Sequence, residues 1–359
     1  MNPGTTPPKC CSCKHILGLV ITLQFLIFVA FQTGFFTLSS APVVVTKPEK
    51  FDFTQHDKNG NITTRQSLGS KLIRAELRDV PAHSNSSEDG SNASAFGLSY
   101  IFSLSSGISQ SVPMATHTVA IGLGITSRKS KWSTLKDIQT SFPFFRTLLP
   151  SFCETASDKF SYHFFLAFDI DDPFFTKLSL LRKFQSNFVE FTRSKCSARS
   201  AYSLHFVRCA HSRRPAWAQN DAMLAAYMAD MDYFYRINDD TVLKTEGWTE
   251  VFIETLASLN PPNVGVVGPT HKGGNTAILT YDFVHSTHVE IHGLYYPHRF
   301  TDWHADRWIT DTYRPGRCVK VKHIKLRHTL EKGQRYRVNR LPKLTVAAEV
   351  NRSKALVET

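Results

Sequence analysis

The chain has 359 residues, of which 42% are hydrophobic and 20% charged, so it is neither a disordered tail nor a fibre. Its length allows about two domains, and its seven cysteines are too few for a disulfide scaffold. The formal net charge is +12, but residues 312–359 carry 13 Lys and Arg against 3 Asp and Glu, which is +10 of the total. Because residues 1–311 are close to neutral, a nucleic-acid binder that uses the whole chain is disfavoured.

A membrane span is the first predicted element. Residues 16–38 contain no charged side chain, and about 20 apolar residues are enough to cross a bilayer. Lys9 and Lys14 precede this run, so the positive-inside rule keeps residues 1–15 in the cytosol and translocates the rest. A cleaved signal peptide is the alternative, although its apolar core is about 7–15 residues long.

Residues 39–115 are rich in Ser, Thr, Asn, Lys and Asp and have little periodicity, which predicts a disordered lumenal stem. N-glycosylation sequons support this exposed, lumenal environment. They begin at Asn61, Asn85, Asn92 and Asn351. Disulfides also form in such a compartment. Four cysteines allow three pairings that the sequence does not distinguish: Cys153, Cys196, Cys209 and Cys318.

After the stem, apolar strand-like runs alternate with helical patterns. Strands are predicted at 118–125, 162–168, 202–207, 233–237 and 264–267, and helices at 175–191, 217–231 and 248–259. This alternation predicts an α/β domain with a mainly parallel sheet over residues 116–340, followed by a basic tail over 341–359. Ligands of such sheets bind beyond the carboxyl ends of the strands, so polar residues there are the candidates for function.

The strongest candidate is Asn238-Asp239-Asp240-Thr241, directly after the strand at 233–237. Two carboxylates that face a crevice are stable together when a cation lies between them. Oxygen ligands suit Mg²⁺ or Mn²⁺, which take their other ligands from phosphates and water. The motif therefore predicts a metal-bridged diphosphate, with a turn or helix cap as the structural alternative.

A second acidic cluster, Asp169-Ile170-Asp171-Asp172-Pro173, follows the second strand. We interpret Asp169 as a contact to the ribose or base of a nucleotide. Asp171 and Asp172 suit the first turn of a helix that Pro173 opens.

Several of these motifs together resemble the GT-A class of nucleotide-sugar glycosyltransferases. They are the glycine-containing first strand, the acid after the second strand, the helix with Asn220-Asp221, and Tyr-Phe-Tyr-Arg-Ile-Asn-Asp-Asp-Thr at 233–241. The resemblance implies a GT-A-like, Rossmann-type α/β/α sandwich in which an Asp-x-Asp motif holds Mn²⁺ or Mg²⁺ on the donor diphosphate. Asp240 matches the second Asp of that motif, with Asp239 beside it, and Asn238 stands where the first Asp usually is. Residues 279–314 are also similar to the glycosyltransferase-like domain of an estrogen-induced growth-regulation protein.

The same resemblance implies roles for other residues. Thr126, Ser127 and Arg128 would meet the nucleotide, and Gly122 and Gly124 would let the backbone approach it closely. Asn220 and Asp221 would begin a helix aimed at the crevice, or cap that helix. A late histidine would add a metal ligand, which we assign to His323, with His328 as the alternative. The anchor, stem and catalytic layout also resembles Golgi enzymes, which predicts a single-pass type II Golgi membrane protein with a lumenal catalytic domain.

Residues 280–311 mix aromatic side chains, histidines and acids, as a sugar-binding surface does, although a loop-rich rim is the alternative. By the resemblance, Asp306 is the candidate base that takes the acceptor hydroxyl proton in an inverting enzyme. Asp302 and Asp311 are its rivals, and an ion pair with Arg307 is the structural alternative. The basic residues after Arg314 would neutralise a departing diphosphate, bind an anionic acceptor, or form a solvated tail.

The sequence therefore predicts a metal-dependent glycosyltransferase. Its donor would be a nucleotide-diphosphate sugar, and its acceptor a hydroxyl of a glycan, glycoprotein or glycolipid. The alternative is a catalytically inactive, lectin-like lumenal binding protein on the same fold. The predicted span and sequons exclude nucleic acid as a partner.

Overall fold

The computed structural model describes residues 52–56, 62–66, 72–74, 99–103, 117–128, 137–272, 275–329 and 341–358. The chain divides into two units, residues 1–66 and residues 67–359. In the first unit, strands β1 (Asp52–His56) and β2 (Ile62–Gln66) pair in antiparallel register.

The second unit contains a ten-stranded sheet. Its strands are β3 (Leu72–Arg74), β4 (Ser99–Ser103), β5 (Thr118–Ile125), β6 (Ser161–Phe168), β7 (Tyr202–Arg208), β8 (Tyr233–Arg236), β9 (Thr241–Leu243), β10 (Val266–Lys272), β11 (Phe283–His285) and β12 (Cys318–His328). They lie in the order β3-β4-β7-β6-β5-β8-β11-β10-β12-β9. The central four strands, β7-β6-β5-β8, are all parallel to one another. Antiparallel pairs occur on both sides of this parallel centre.

Helices cover both faces of the sheet. They are α1 (Asp137–Ser141), a π-helix (Phe144–Leu148), α2 (Leu149–Thr155), α3 (Leu178–Lys195), α4 (Pro215–Tyr227), α5 (Trp248–Ala257), α6 (Thr287–His292), α7 (Ala305–Thr312) and α8 (Lys343–Glu358). One apolar core lies between the sheet and α2, α3 and α5, and a second lies between the sheet and α4, α7 and α8. The predicted α/β sandwich fold is thereby confirmed.

Strand β5 shows how the sequence builds these two layers. Val119, Ile121 and Leu123 belong to the first core, because alternate residues of a strand face one side of the sheet. On the other side, a Cβ atom at Gly122 would lie 2.5 Å from the side chain of Met223 on α4. The glycine that we interpreted as room for a ligand instead lets α4 pack directly on the strand.

The C-terminal segment 341–359, predicted as a basic tail, contains helix α8. Val346 and Val350 are buried four residues apart on this helix, as helical spacing requires. Trp308 of α7 donates from Nε1 to Oγ of Ser353 at 3.1 Å. Asn351, the acceptor of the predicted sequon, is exposed on α8.

The amino-terminal predictions have mixed outcomes. Within 39–115, the predicted stem, the structure places strands β1 to β4. Residues 1–38, with the cytosolic tail and the predicted span, lie outside the described residues, as do Asn61, Asn85 and Asn92. Among the helices that the structure describes, none is long and apolar enough to cross a bilayer. This finding contradicts the predicted type II Golgi location, which is corrected accordingly.

One disulfide is present among the four cysteines that could pair. Cys153 on α2 forms a disulfide with Cys196, the residue that follows α3. Cys209 is a free, buried thiol, and Cys318 is a free thiol of intermediate exposure.

Candidate functional site

The order of the central strands defines where a ligand crevice opens. From β5 the chain adds β6 and then β7 on one side, and β8 pairs with β5 on the other side. Open α/β sheets bind ligands at such a switch point, beyond the carboxyl ends of the strands. The loops at this edge contain residues 126–128, 169–173, 209–214 and 237–240.

Arg128 joins three of these loops. Its Nε lies 3.2 Å from Oδ2 of Asp169, and its guanidinium also bonds to the carboxylate of Asp171 and to Oγ of Ser212. The backbone N–H of Arg213 donates to the same Asp169 oxygen at 3.0 Å. A hydrogen bond from Ser212, followed by the charge of Arg128, lowers the pKa of Asp171. Two of the predicted nucleotide contacts, Arg128 and Asp169, are therefore paired with each other.

Asp172 organises the rest of this corner. Its fully buried carboxylate accepts hydrogen bonds from Oγ1 of Thr126 at 3.0 Å, and from the backbone N–H and the hydroxyl of Ser127 at 2.8 and 2.6 Å. The backbone N–H groups of Phe174 and Phe175 donate to it as well, both at 3.0 Å. Thr126 and Ser127, two further predicted nucleotide contacts, thus hold a protein carboxylate.

Asn220 and Asp221 lie side by side on α4 but have different partners. The Asn220 amide bonds to the backbone of Tyr296 in both directions, at 2.8 and 2.6 Å, and so holds the loop after α6. Asp221 points to the loop after β7, where its Oδ2 lies 3.2 Å from Nε2 of His211. Neither is the first residue of the helix, which begins at Pro215.

The two carboxylates after β8 are buried at the crevice edge. Asp239 and Asp240 are 2% and 3% exposed, and Oδ1 of Asp240 lies 3.0 Å from Nε2 of His328. Thr329 fixes the backbone of Asp240 by donating its N–H and its hydroxyl to the Asp240 carbonyl, at 3.1 and 2.7 Å. This places the Asp240 carboxylate and the His328 imidazole in contact at the sheet edge, with the buried Asp239 as the preceding residue of the chain.

Strand register decides which late histidine reaches this point. In the β12–β9 pair, His328 lies opposite Thr241, the residue after Asp240. His323 is exposed and lies five residues earlier on the strand. The structure therefore brings His328, and not His323, next to Asp240.

A buried charge cluster extends from the same edge toward α7. The fully buried Asp282 accepts hydrogen bonds from the hydroxyls of Tyr295 and of Tyr296, the latter at 2.7 Å. Burial raises the pKa of Asp282 to about 6, against the opposing charge of Arg236. Burial lowers the pKa of Arg236, but Tyr296, Asp282 and Asp306 more than offset this, so its pKa is raised overall.

Asp306, the candidate base, lies in the first turn of α7 and is half-buried. Its Oδ1 accepts the backbone N–H of Arg307 at 2.9 Å. The Arg307 side chain instead pairs with Asp311, at 3.1 Å, so one rival acid is held in a surface ion pair. The other rival, Asp302, accepts the backbone N–H of Trp303.

Most of the predicted sugar-binding aromatic residues are inside the protein. Tyr295, Tyr296 and Trp308 are buried, whereas Trp303 is 46% exposed. His288 is also buried, where its ring contacts the hydroxyl of Tyr313 and the carbonyl of Tyr295, both at 2.8 Å. Most of these aromatic residues therefore belong to the protein core and are not available to stack on a sugar.

Several basic residues after α7 bind backbone carbonyls. Arg314 donates to Ala277 at 2.9 Å, and Arg317 donates to Asn260 and Val357. Lys320 donates to Thr276 and Ile278. The exposed basic side chains of β12 and its partner β10 are Lys322, Lys325, Arg327 and Lys272.

Sequence reasoning missed two groups of residues near the crevice. Arg236 and Asp282 were not singled out. A single charged residue within a strand-like pattern does not indicate that an opposite charge lies beside it in the folded protein. Cys209 and His211 were also missed, although the spacing Cys-x-His directly after a strand is a recognisable signal for metal ligands.

No protein-family model matches the sequence, and no curated protein matches it. Solved structures are similar over part of the chain. Staphylococcus aureus TarS 1–349 in complex with UDP-GlcNAc is 13% identical, with 67% of this chain and 65% of that chain covered and a TM-score of 0.38. The structure of GalNAc-T7 with UDP, GalNAc and Mn²⁺ is 10% identical, with 59% and 44% covered and a TM-score of 0.40. The chain thus spans less than two thirds of the length of either structure.

Proposed function

We propose that this chain is a metal-dependent glycosyltransferase that moves a sugar from a nucleotide-diphosphate donor to an acceptor hydroxyl. One observation carries the proposal. Asp240 and His328, which are far apart in the sequence, meet at 3.0 Å beside the buried Asp239 at the switch point of the sheet. The sequence around Asp240 is the part of the chain that most resembles the GT-A class.

The residues present fit a divalent cation. A divalent cation stabilises neighbouring buried carboxylates in their ionised form, and oxygen donors with one imidazole suit Mn²⁺ or Mg²⁺. Asp239, Asp240 and His328 would hold the ion. When bound, it would supply positive charge to the diphosphate that leaves the donor sugar.

The acceptor would lie over α7. There, a carboxylate oxygen of Asp306 would receive the proton of the attacking hydroxyl if the reaction inverts the sugar. The exposed ring of Trp303 offers a face for the acceptor sugar.

A lectin-like binding protein is the second candidate, and one observation favours it. Thr126, Ser127 and Arg128 are hydrogen-bonded to protein carboxylates rather than directed to an open nucleotide site. A chain of this kind would bind a sugar ligand but would not turn over a donor.

The test is a screen of the full chain against nucleotide sugars, with Mn²⁺ or with excess chelator, in which release of nucleoside diphosphate is measured. We expect release that depends on Mn²⁺. Asp240→Asn should lower the rate about 100-fold or more, because a bound metal contributes several kcal/mol to the barrier. Asp230→Asn is the matched control, since Asp230 is exposed and has a left-handed backbone that Asn tolerates.

A second variant separates the acceptor side from the donor side. Asp306→Asn should lower transfer but leave nucleotide binding unchanged. Turnover that persists in chelator and in Asp240→Asn would remove the metal from the mechanism. Ligand binding without turnover across the whole panel would instead establish the binding protein.

A further inference from the structure

A second group of potential metal ligands lies on the other side of the crevice, between β7 and α4. The donor atoms of Cys209, His211 and Asp221 all lie within 4.8 Å of one another. In the described parts of the chain, no other set of three such side chains is this close. The group shares no residue with the Asp239, Asp240 and His328 site.

The backbone holds these three residues rigidly. Cys209 follows β7, and its N–H still donates to Phe168 of β6 at 2.9 Å. The carbonyl of His211 accepts the N–H of Ile170 at 3.2 Å. Asp221 is on the second turn of α4. A site that is built on a strand end and a helix is preorganised, because little conformational entropy is lost when a ligand binds.

Hydrogen bonding within the group leaves His211 out, although Asp221 bonds to the Cys209 thiol. Nε2 of His211 lies 3.2 Å from Oδ2 of Asp221, yet neither ring nitrogen makes a hydrogen bond within the described residues, although both are buried. A buried polar group without a hydrogen bond is costly. A ring nitrogen and a carboxylate oxygen that lie 3.2 Å apart without a hydrogen bond between them are positioned as two ligands of one metal ion would be.

The protonation chemistry agrees with this geometry. Burial raises the pKa of the Cys209 thiol well above its usual value, and the charges of Asp221 and Asp169 raise it further. A thiol in such surroundings is a poor nucleophile, which disfavours a Cys-His-Asp catalytic triad. A divalent cation reverses this effect, because it stabilises the thiolate and the carboxylate together.

We propose that Cys209, His211 and Asp221 bind a zinc ion. Thiolate, imidazole and carboxylate are the three ligand types that Zn²⁺ uses in proteins, and the thiolate disfavours Mg²⁺ and Mn²⁺, which prefer hard oxygen ligands to sulfur. The fourth ligand is water, which reaches the group along the edge of His211, whose side chain is 15% exposed. On binding, the Cys209 thiol releases its proton to solvent and its sulfur electron pair coordinates the metal.

Zinc in this position would stabilise the loop that shapes the neighbouring corner. The loop continues into Ser212 and Arg213, which hydrogen-bond to Arg128 and Asp169. Next to the group, the ring of His298 stacks on Trp217 with centroids 3.8 Å apart. Burial lowers the pKa of His298, the charge of His211 lowers it further and that of Asp221 opposes this, so the His298 resonances report on the occupancy of the site.

The decisive experiment uses the full chain, freed of metal with a chelator and titrated with Co²⁺. We expect the ultraviolet absorption of a thiolate–cobalt bond to saturate at one equivalent per chain, and Zn²⁺ to displace it. Cys209→Ser should abolish this absorption, and His211→Gln should weaken binding at least about 100-fold, more than the loss of an outer hydrogen-bond partner does. Cys318→Ser is the matched control, because Cys318 is the other described free thiol.

Two further measurements keep the result independent of how the variants fold. In the unmodified chain, Zn²⁺ should slow alkylation of Cys209 but not of Cys318, as read by peptide mass spectrometry. Asp240→Asn should leave the cobalt absorption intact, which separates this site from the crevice site. A folded, unmodified chain without thiolate–cobalt absorption, or with absorption that survives in Cys209→Ser, would overturn the proposal.

Discussion

At the scale of single residues, neighbouring carboxylates of the same type have opposite environments. Asp172 is fully buried and accepts hydrogen bonds from two loops. The Asp171 side chain is 54% exposed and pairs with Arg128. The sequence interpretation gave both acids the same helix-capping role, but the next helix begins only at Leu178, with Lys177 as its N-cap. Asp172 instead bonds to the N–H groups of Phe174 and Phe175 in the turn before that helix. Its bonds to Thr126 and Ser127 were not predictable, because they join residues from different strand ends.

This difference predicts unequal effects of the same substitution. Asp172→Asn places an amide N–H₂ against groups that donate hydrogen bonds, so we expect the free energy of unfolding to fall by about 2–4 kcal/mol. Asp171→Asn should lower it by less than about 1 kcal/mol, as is typical of exposed ion pairs. Urea unfolding followed by circular dichroism measures both values. Equal effects of the two substitutions would contradict the role assigned to Asp172.

The candidate metal residues were predictable from sequence only in part. Asp239 and Asp240 were found because they follow an apolar run, and strand ends define the ligand edge of an α/β sheet. The choice between His323 and His328 depends on the register of β12 against β9, which no local pattern encodes. The same holds for Arg236 and Asp282, whose pairing comes from the contact of β8 with β11.

At the scale of elements, the apolar centre of the sheet was the predictable part. The first predicted strand, 118–125, matches β5, and the predicted helix at 248–259 begins where α5 begins. These runs are recognisable because both faces of a central parallel strand are buried. The predicted helix over 217–231 likewise lies on α4, although the observed helix begins and ends earlier.

Strand β12 was missed, and its geometry explains why. Its pairing with β10 shifts register, so that Pro269 lies opposite Val321 but Thr270 lies opposite Lys325. The buried residues therefore change from Val321 to Ile324 and Leu326, and the alternation typical of a strand is broken. Because basic residues lie between these buried positions, the sequence pattern indicates a charged segment and does not indicate a strand.

The disulfide adds a connection that the sequence did not specify. Cys153 and Cys196 are 43 residues apart and join α2 to the end of α3. Closing a loop of this length restricts the unfolded chain, which stabilises the folded state by about 2–4 kcal/mol. We expect Cys153→Ser to lower the free energy of unfolding by this amount, measured by urea unfolding without reductant.

The control for the disulfide is the free thiol Cys318. Cys318→Ser should change the midpoint little, and reductant should destabilise the unmodified chain but leave Cys153→Ser unaffected. A midpoint that does not respond to reductant would show that the bond contributes no stability.

At the scale of the whole molecule, some of the basic side chains bind the protein's own backbone and others remain exposed. Arg314, Arg317 and Lys320 bind backbone carbonyls and so hold loops and α8 together. The basic side chains of β12 that remain exposed lie on the outer part of the sheet, away from the central parallel strands. The net charge is therefore partly structural, and only the exposed part is available to an anionic ligand.

Buried histidines set how stability depends on pH. Burial lowers the pKa of His288 to about 4, and it lowers that of His163 to a similar value. The unfolded chain, with a histidine pKa near 6.5, binds protons more readily than the folded chain over this interval. The stabilisation from neutral His288 is thus complete above pH 6.5 and is lost as pH falls toward 4. Asp282, whose pKa is raised to about 6, acts in the opposite direction and reduces the net slope.

We therefore expect the free energy of unfolding to decrease between pH 7 and pH 4.5, with His288 alone contributing about 2 kcal/mol of the decrease. His288→Gln removes this ionisation, so the variant should be less stable at pH 7 but show a flatter pH dependence. His323→Gln is the control, because His323 is exposed and its substitution should leave the slope unchanged. Urea midpoints at the two pH values measure this difference. An unchanged slope in His288→Gln would show that burial of this ring does not govern the acid sensitivity.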